Sequence, residues 1–264
     1  MSMIQAVWNY RGFIIGTVRR EFQSRYRNSL LGAAWTVINP LAMIVVYTVI
    51  FSRVMQARLP GNAGFPYAYG IYLCAGILTW NMMAEITNRS VNTFIENANL
   101  LKKQTFPRLA LPLIVLLSAV LNFAIVFGLF TVFLVITGNF PGWVFFSIIP
   151  VLLVQMALAV GLGVSLGVLN VFFRDVGQFY GVALQFWFWL TPVVYPLEVL
   201  PEKVRRIIEL NPMTSLVVAH QNILLHHTLP DWRPIAEVAL LALFLCLVGL
   251  RLFRNHSSDM VDEL

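Results

Sequence analysis

Apolar residues occupy most of this chain in blocks of bilayer-spanning length, and polar positions fall in short clusters between them. A spanning helix needs about 20 mostly apolar residues, so the blocks predict transmembrane helices. The start of the chain is patterned differently. Between Met3 and Leu30, the residues Ile4, Trp8, Ile15, Phe22 and Tyr26 fall on one stripe at helical period, with Arg20, Arg25 and Arg27 off it. Arg19 interrupts the stripe and Arg11 borders it, positions from which long stems snorkel to headgroups. Residues 1–30 are predicted to form an amphipathic helix on the membrane surface.

The blocks then divide into six spans. Span one is Ala33 to about Ser52, with Asn39-Pro40 near its start. Span two runs from about Pro66 to Asn88 and ends at Glu85 and Arg89, four apart and so neighbours on one helix face. A polar stretch follows, Asn92 to Arg108, containing Lys102 and Lys103 and closed by Phe106-Pro107-Arg108. No Asp, Glu, Lys or Arg occurs from Leu109 to Phe173, and Thr137-Gly138-Asn139-Phe140-Pro141-Gly142 is the turn that cuts this run in two. Span three is then about Leu109–Ile136 and span four about Trp143–Asn170, with Arg174-Asp175 marking the next loop. In span five, about Val176–Leu197, Pro192 and Pro196 should bend or end the helix. Residues 198–232 hold Pro201 and Asn211-Pro212, two helix starts that predict short interfacial or re-entrant helices on the outer side. Span six, about Arg233–Phe253, and a short polar tail over 254–264 complete one all-α integral membrane domain covering residues 1–264.

Composition agrees with lipid as the main solvent. Hydrophobic residues make up 59% and charged residues 11%, against roughly 25% charged in soluble domains. The net charge of +6 reads as cytoplasmic anchoring rather than nucleic-acid binding. With the N-terminus inside, six spans bring the C-terminus back to the same face, and most of the 18 basic residues lie in the inner segments. Cys74 and Cys246 both sit in apolar runs and read as small core residues. A cleaved signal peptide is not expected, because the Gly12–Val18 stretch is short and ends in Arg19 and Arg20.

The chemistry on offer is sparse. No G-x-x-x-x-G-K-[ST] string is present, so the chain has no P-loop of its own. Gly161, Gly163 and Gly167 inside span four read as a close-packing surface rather than a phosphate cradle. His226-His227 lacks an H-E-x-x-H frame, and the span centres hold almost no titratable groups, which disfavours a proton-coupled transporter. A membrane-embedded glycosyl transferase or ligase is the alternative reading. Aromatic residues reach 13% of the chain; they suit interfacial belts, helix packing and the apolar faces of sugar rings alike.

Four strings narrow the choice. Arg25-Tyr26-Arg27-Asn28-Ser29-Leu30-Leu31-Gly32-Ala33-Ala34-Trp35, followed by Asn39-Pro40-Leu41, resembles the interface motif that leads into the first span of bacterial ABC-2 export permeases. Leu100-Leu101-Lys102-Lys103 with Phe106-Pro107-Arg108 and Leu111-Pro112 is similar to that family's first cytoplasmic loop. Asn170-Val171-Phe172-Phe173-Arg174-Asp175-Val176 resembles its second. Thr191-Pro192-Val193-Val194-Tyr195-Pro196, then Asn211-Pro212-Met213, is similar to its fifth span and outer region. The strings occur in family order along the whole chain.

The resemblance implies a homodimer in the bacterial inner membrane, both termini cytoplasmic, each chain paired with a cytoplasmic ATPase subunit. That partner would bind ATP and magnesium, leaving no cofactor in this chain. The implied substrate is a lipid-linked polysaccharide of the O-antigen, capsule or teichoic-acid kind. On this footing the Asn92–Arg108 stretch is expected to form a coupling helix docked on the ATPase through Lys102, Lys103, Phe106 and Arg108, with Arg174 and Asp175 completing the contact. Tyr47, Trp187 and Tyr195 are the expected channel-lining residues, with Asn122, Gln155 and Gln185 as alternatives. Arg25, Arg27 and Trp35 carry the interface motif.

Overall fold

The computed structural model describes residues 8–24, 34–50, 67–102 and 107–264, and among these there are helices and turns but no strand. Helix α1 is Arg11–Ser24, α2 Trp35–Val49, α3 Ala68–Glu96, α4 the single turn Ala98–Leu101, and α5 Ala110–Ile136. A 3-10 segment, Gly142–Ser147, leads into α6, Ile148–Phe172, and α7 follows over Asp175–Trp189. The short helices α8, Glu202–Glu209, and α9, Pro212–Gln221, precede the long α10, Trp232–His256, and the terminal turn α11, Asp259–Glu263. Three helical stretches are long and apolar enough to cross a membrane: Ala110–Ile136, Gly142–Phe172 and Trp232–His256. They correspond to the predicted spans three, four and six, and make the chain a multi-pass membrane protein.

The centre of the bundle is α3. Twenty of its 29 residues are buried, on all sides of the helix. A helix enclosed by protein carries polar side chains at little cost when their bonds are made. Thr79 and Thr87 return their hydroxyls to the carbonyls of Ala75 (2.7 Å) and Met83 (2.9 Å). At about 43 Å for 29 residues, α3 is longer than the hydrocarbon core.

Here the structure departs from the sequence reading. Span two continues past the expected end at Asn88 to Glu96. Ser90, Val91, Thr93 and Phe94 are buried against neighbouring helices, and that burial sustains the helix through a stretch whose polar residues read as a loop. The stretch expected as one coupling helix, Asn92–Arg108, is therefore divided. Its first part belongs to α3, and a break follows at Asn97, whose amide bonds back to the Thr93 carbonyl at 2.9 Å. The turn α4 comes next, and residues 103–106, with Lys103 and Phe106, lie outside the described residues.

Glycines on α6 set how closely its neighbours approach. A Cβ at Gly163 would lie 2.6 Å from Ser90 Cβ, and one at Gly167 2.6 Å from the Ser90 carbonyl, so this face receives α3. A Cβ at Gly161 would lie 2.6 Å from the backbone nitrogen of Cys246, so the other face receives α10, where Gly249 meets Ser165 in return. The cluster read as a packing surface thus serves two helices at once. Small residues let backbones come close where lipid supplies no hydrophobic drive between helices.

Replacing Gly167 by Leu should destabilise the protein by about 1–3 kcal/mol through overpacking against an unyielding carbonyl. Replacing Gly128, which meets nothing within 4 Å, should leave it unchanged. Thermal unfolding of the two detergent-solubilised variants beside wild type checks the contrast.

Candidate functional site

Two regions at opposite ends of the bundle hold most of its long-range polar bonds. At the end carrying α1, an ion-pair network ties that amphipathic helix to the bundle. Glu21, the one acidic residue of α1, accepts from Arg89 Nη2 at 2.6 Å and from Ser118 Oγ at 2.8 Å. Arg89 also lies 3.7 Å from Glu85 on its own helix, and Glu85 accepts from Asn122 Nδ2 at 2.8 Å. Ile14 packs beneath, against Ala110 and Ile114 of α5. A helix is present where one was expected, but its docking face is not the expected stripe: Ile14, with Phe13 and Val18 beside it, packs on the bundle together with this carboxylate, whereas Trp8 and Ile15 of that stripe stand 66% and 63% exposed.

The predicted coupling residues that the structure describes collect at the same end. Lys102 is exposed just past α4, whose Leu101 is anchored in a small core with Phe94, Leu111, Val168 and Phe253. Arg108 donates to the carbonyl of Ser257, holding the start of α5 to the chain beyond α10. Arg174 and Asp175 are exposed at the start of α7, where a carboxylate suits the positive end of the helix dipole. A residue that was quoted only as part of a motif places this loop. Buried Asn170 donates to the Val91 carbonyl of α3 at 3.0 Å and accepts from the backbone of Gly177 at 2.8 Å. Arg25 and Arg27 lie outside the described residues, and Trp35 stands half-exposed at the start of α2.

At the opposite end the chain solves a backbone problem. Helix α7 stops at Trp189, and the Leu190–Tyr195 turn leaves carbonyls that a continuing helix would have bonded. Side chains from elsewhere supply the donors. Tyr69 donates to the Val194 carbonyl at 2.9 Å, Tyr72 to that of Tyr195 at 2.7 Å, Gln221 to Pro192 at 3.1 Å, and Asn211 to Leu190 at 3.1 Å. Tyr72 also lies 3.2 Å from the Pro192 carbonyl. Asn211 uses its oxygen as well, capping α9 through Met213 N and accepting from Trp187 Nε1 at 2.8 Å. Gly76 allows the turn this close, since a Cβ there would meet the Val193 carbonyl at 2.9 Å.

The three residues expected to line a channel are differently placed. Trp187 is half-buried, spends its indole N–H on Asn211 and packs edge-on to Trp80 at 5.9 Å. Tyr195 donates to the Trp189 carbonyl at 2.9 Å. Tyr47 is half-buried against the main core. Gln155 is wholly buried and bonds the Thr79 carbonyl at 2.7 Å, joining α6 to α3. The large exposed aromatics of α7 are Phe179, Phe186 and Trp189 at 77, 67 and 65%. Sequence reasoning left the aromatics shared among interfacial belts, helix packing and sugar faces, and passed over Gln221. The signal that finds Tyr69, Tyr72 and Gln221 is a hydroxyl or amide in an apolar run beside a proline-broken partner.

Comparison with known proteins bears on the whole chain. A family model described as ABC-2 type transporter matches residues 14–225. An O-antigen export system permease protein RfbA of Myxococcus xanthus is 30% identical over 266 residues, covering all of both chains. A protein of the same name from Klebsiella pneumoniae is 30% identical over 92% of this chain and 91% of its own. The polysialic acid transport protein KpsM of Escherichia coli is 20% identical over 92% of this chain and 93% of its own.

Tyr72 has a single proton, so its shorter contact to Tyr195 is the principal bond and Pro192 relies on Gln221. Tyr72→Phe and Gln221→Met should each cost about 1 kcal/mol. The double variant should cost more than their sum by at least about 0.5 kcal/mol, because the Tyr72 proton can turn to Pro192 when Gln221 is gone. Unfolding of the four proteins in a double-mutant cycle measures the coupling.

Proposed function

The chain belongs to the ABC-2 type transporter family, and from that membership we propose that it is the channel-forming permease subunit of an ATP-driven exporter of a lipid-linked polysaccharide. The observation that carries this reading is the end-to-end match to an O-antigen export permease. Power comes from elsewhere in the assembly, because the sequence holds no P-loop. ATP and magnesium are bound by a separate cytoplasmic ATPase subunit, and this chain uses no cofactor. The alternative reading as a membrane-embedded transferase is not favoured. His227 is engaged structurally, its Nε2 lying 3.2 Å from the Asn139 carbonyl in a backbone turn.

In this reading the end bearing α1 is cytoplasmic, both termini lie on that side of a bacterial inner membrane, and α2, α3 and α7 complete six spans as the first, second and fifth. The exposed Lys102, Arg174 and Asp175, with Lys103, Phe106 and Arg108, receive the ATPase. The anchoring of Leu101 and Asn170 supports that role, since a docking surface must be stiff to pass a push to the spans. Two copies face each other across α2 and α7. Both helices keep an apolar side free, Val37, Leu41 and Val45 on one and Phe179, Val182 and Phe186 on the other. The channel runs between the copies, with Tyr47, Trp187 and Tyr195 on its approach, and α8 and α9 form its outer, re-entrant rim.

Reversing Lys102 and Lys103 to Glu together should weaken ATPase association by about tenfold and make the remainder less salt-sensitive. Export should fall while membrane insertion stays normal. Co-purification with the ATPase subunit at several salt concentrations, beside surface polysaccharide in the same cells, measures both. Unchanged association and export would remove the basic loop from the contact, and export that survives a dead P-loop in the ATPase would remove the reading itself.

A further inference from the structure

Between α2, α3 and α5 lies a cleft of about 260 Å³, below the roughly 300–1,000 Å³ of drug-sized pockets. Its size suits a small head group rather than a length of polymer. Its lining is unusual for a membrane helix junction, because Asn39, Asn81, Asn122 and Glu85 all face it, with Trp35 and Phe123 as apolar walls. Polar side chains within spans are ordinarily helix-to-helix glue. That account fits Asn122, which donates to Glu85 at 2.8 Å and joins α5 to α3. It does not fit the other two amides. Among the described residues neither Asn39 nor Asn81 has a side-chain hydrogen-bond partner, and both are exposed.

Exposed in a cleft that also has apolar walls, the two amides keep their donors and acceptors free for a polar occupant. The lining selects its chemistry. Carboxamides donate and accept at once, as paired hydroxyls do, and a carboxylate oxygen adds an acceptor. Trp35 and Phe123 offer flat apolar surface to the C–H face of a ring. Among the described residues no Lys or Arg lines the cleft, and nearby Arg89 is committed to Glu21 and Glu85, so these residues offer an anionic phosphate no counter-charge. Glu85 opposes one.

We propose that this cleft binds a neutral sugar ring of the lipid-borne substrate at the α1 end of the bundle, apart from the path between two copies. The proposal depends on the export reading and names what this part of the permease holds. It assigns Asn39 and Asn81 as the residues that read ring hydroxyls and Trp35 as the ring's platform.

The test uses the permease–ATPase complex in lipid nanodiscs. Dodecyl maltoside, a neutral sugar on an alkyl tail, is titrated below its micellar concentration, with dodecylphosphocholine as the sugar-free control. The readout is the tryptophan fluorescence component lost in Trp35→Phe. A saturable response to the maltoside alone is expected, weakened roughly two- to tenfold by each of Asn39→Leu and Asn81→Leu. Because the amides have no protein partner, both variants should unfold at or above the wild-type temperature, which separates binding from a structural role. Equal responses to the two amphiphiles, or leucine variants that bind and export as wild type, overturn the assignment. So does loss of chain-to-chain crosslinking in those variants, which would hand the amides to a second copy. Deleting the chain is the separate control. If deletion abolishes surface polysaccharide while the leucine variants export normally, the cleft assignment falls and the export reading stands.

Discussion

Backbone carbonyls freed where α7 ends take their donors from side chains elsewhere in the protein, because no continuing helix supplies them. That constraint organises one whole end of the molecule. The turn after Trp189 exists because Pro192 and Pro196 cannot continue a helix. It is tolerated because Tyr69, Tyr72, Asn211 and Gln221 converge on the carbonyls left over. The donors come from α3 and α9, so satisfying the break also fixes where the segment between α7 and α10 lies. A helix that ends early thereby becomes a junction of three elements.

Helix α3 joins that junction to the other end of the bundle. Its first turns hold the broken helix, and its last turns hold α1 through Arg89 and the α6–α7 loop through Asn170. Burial along nearly its full length lets one helix do both. The neighbours press close because α6 presents bare glycine faces to α3 and to α10. Stiffness of this kind suits a subunit that receives work at one end and opens a path for a polymer across the membrane.

Polar residues within the bundle fall into two groups once their partners are known. Gln155, Asn170, Asn211 and Gln221 are committed to backbone atoms and hold helices together. Asn39 and Asn81 are not, and they share a cleft with the one carboxylate of α3 that lies short of its last turns. Aromatics divide likewise. Trp187 and Tyr195 have their polar atoms engaged at the break, whereas Phe179 and Phe186 stand exposed, as does Trp189 beside Phe188.

The amino-acid sequence by itself determined the solvent, the three long apolar helices, an interruption at Pro192 and Pro196 and the starts of α8 and α9. Each follows from local chemistry: apolar length, proline at a helix start, proline barred from a helix interior. Helix α7 itself stops at Trp189, short of the expected Leu197. Its four motifs also indicated the family. Tertiary structure decided where α3 ends, because burial of Ser90, Thr93 and Phe94 outweighed polar residues that locally favour a loop. It decided, too, that Gly161 faces one helix and Gly163 another, and that Asn122 is bonded while Asn81 is open. Identical side chains differ in what the neighbouring helix brings opposite them. That is a property of helix packing, and it leaves no trace in the local pattern along the chain.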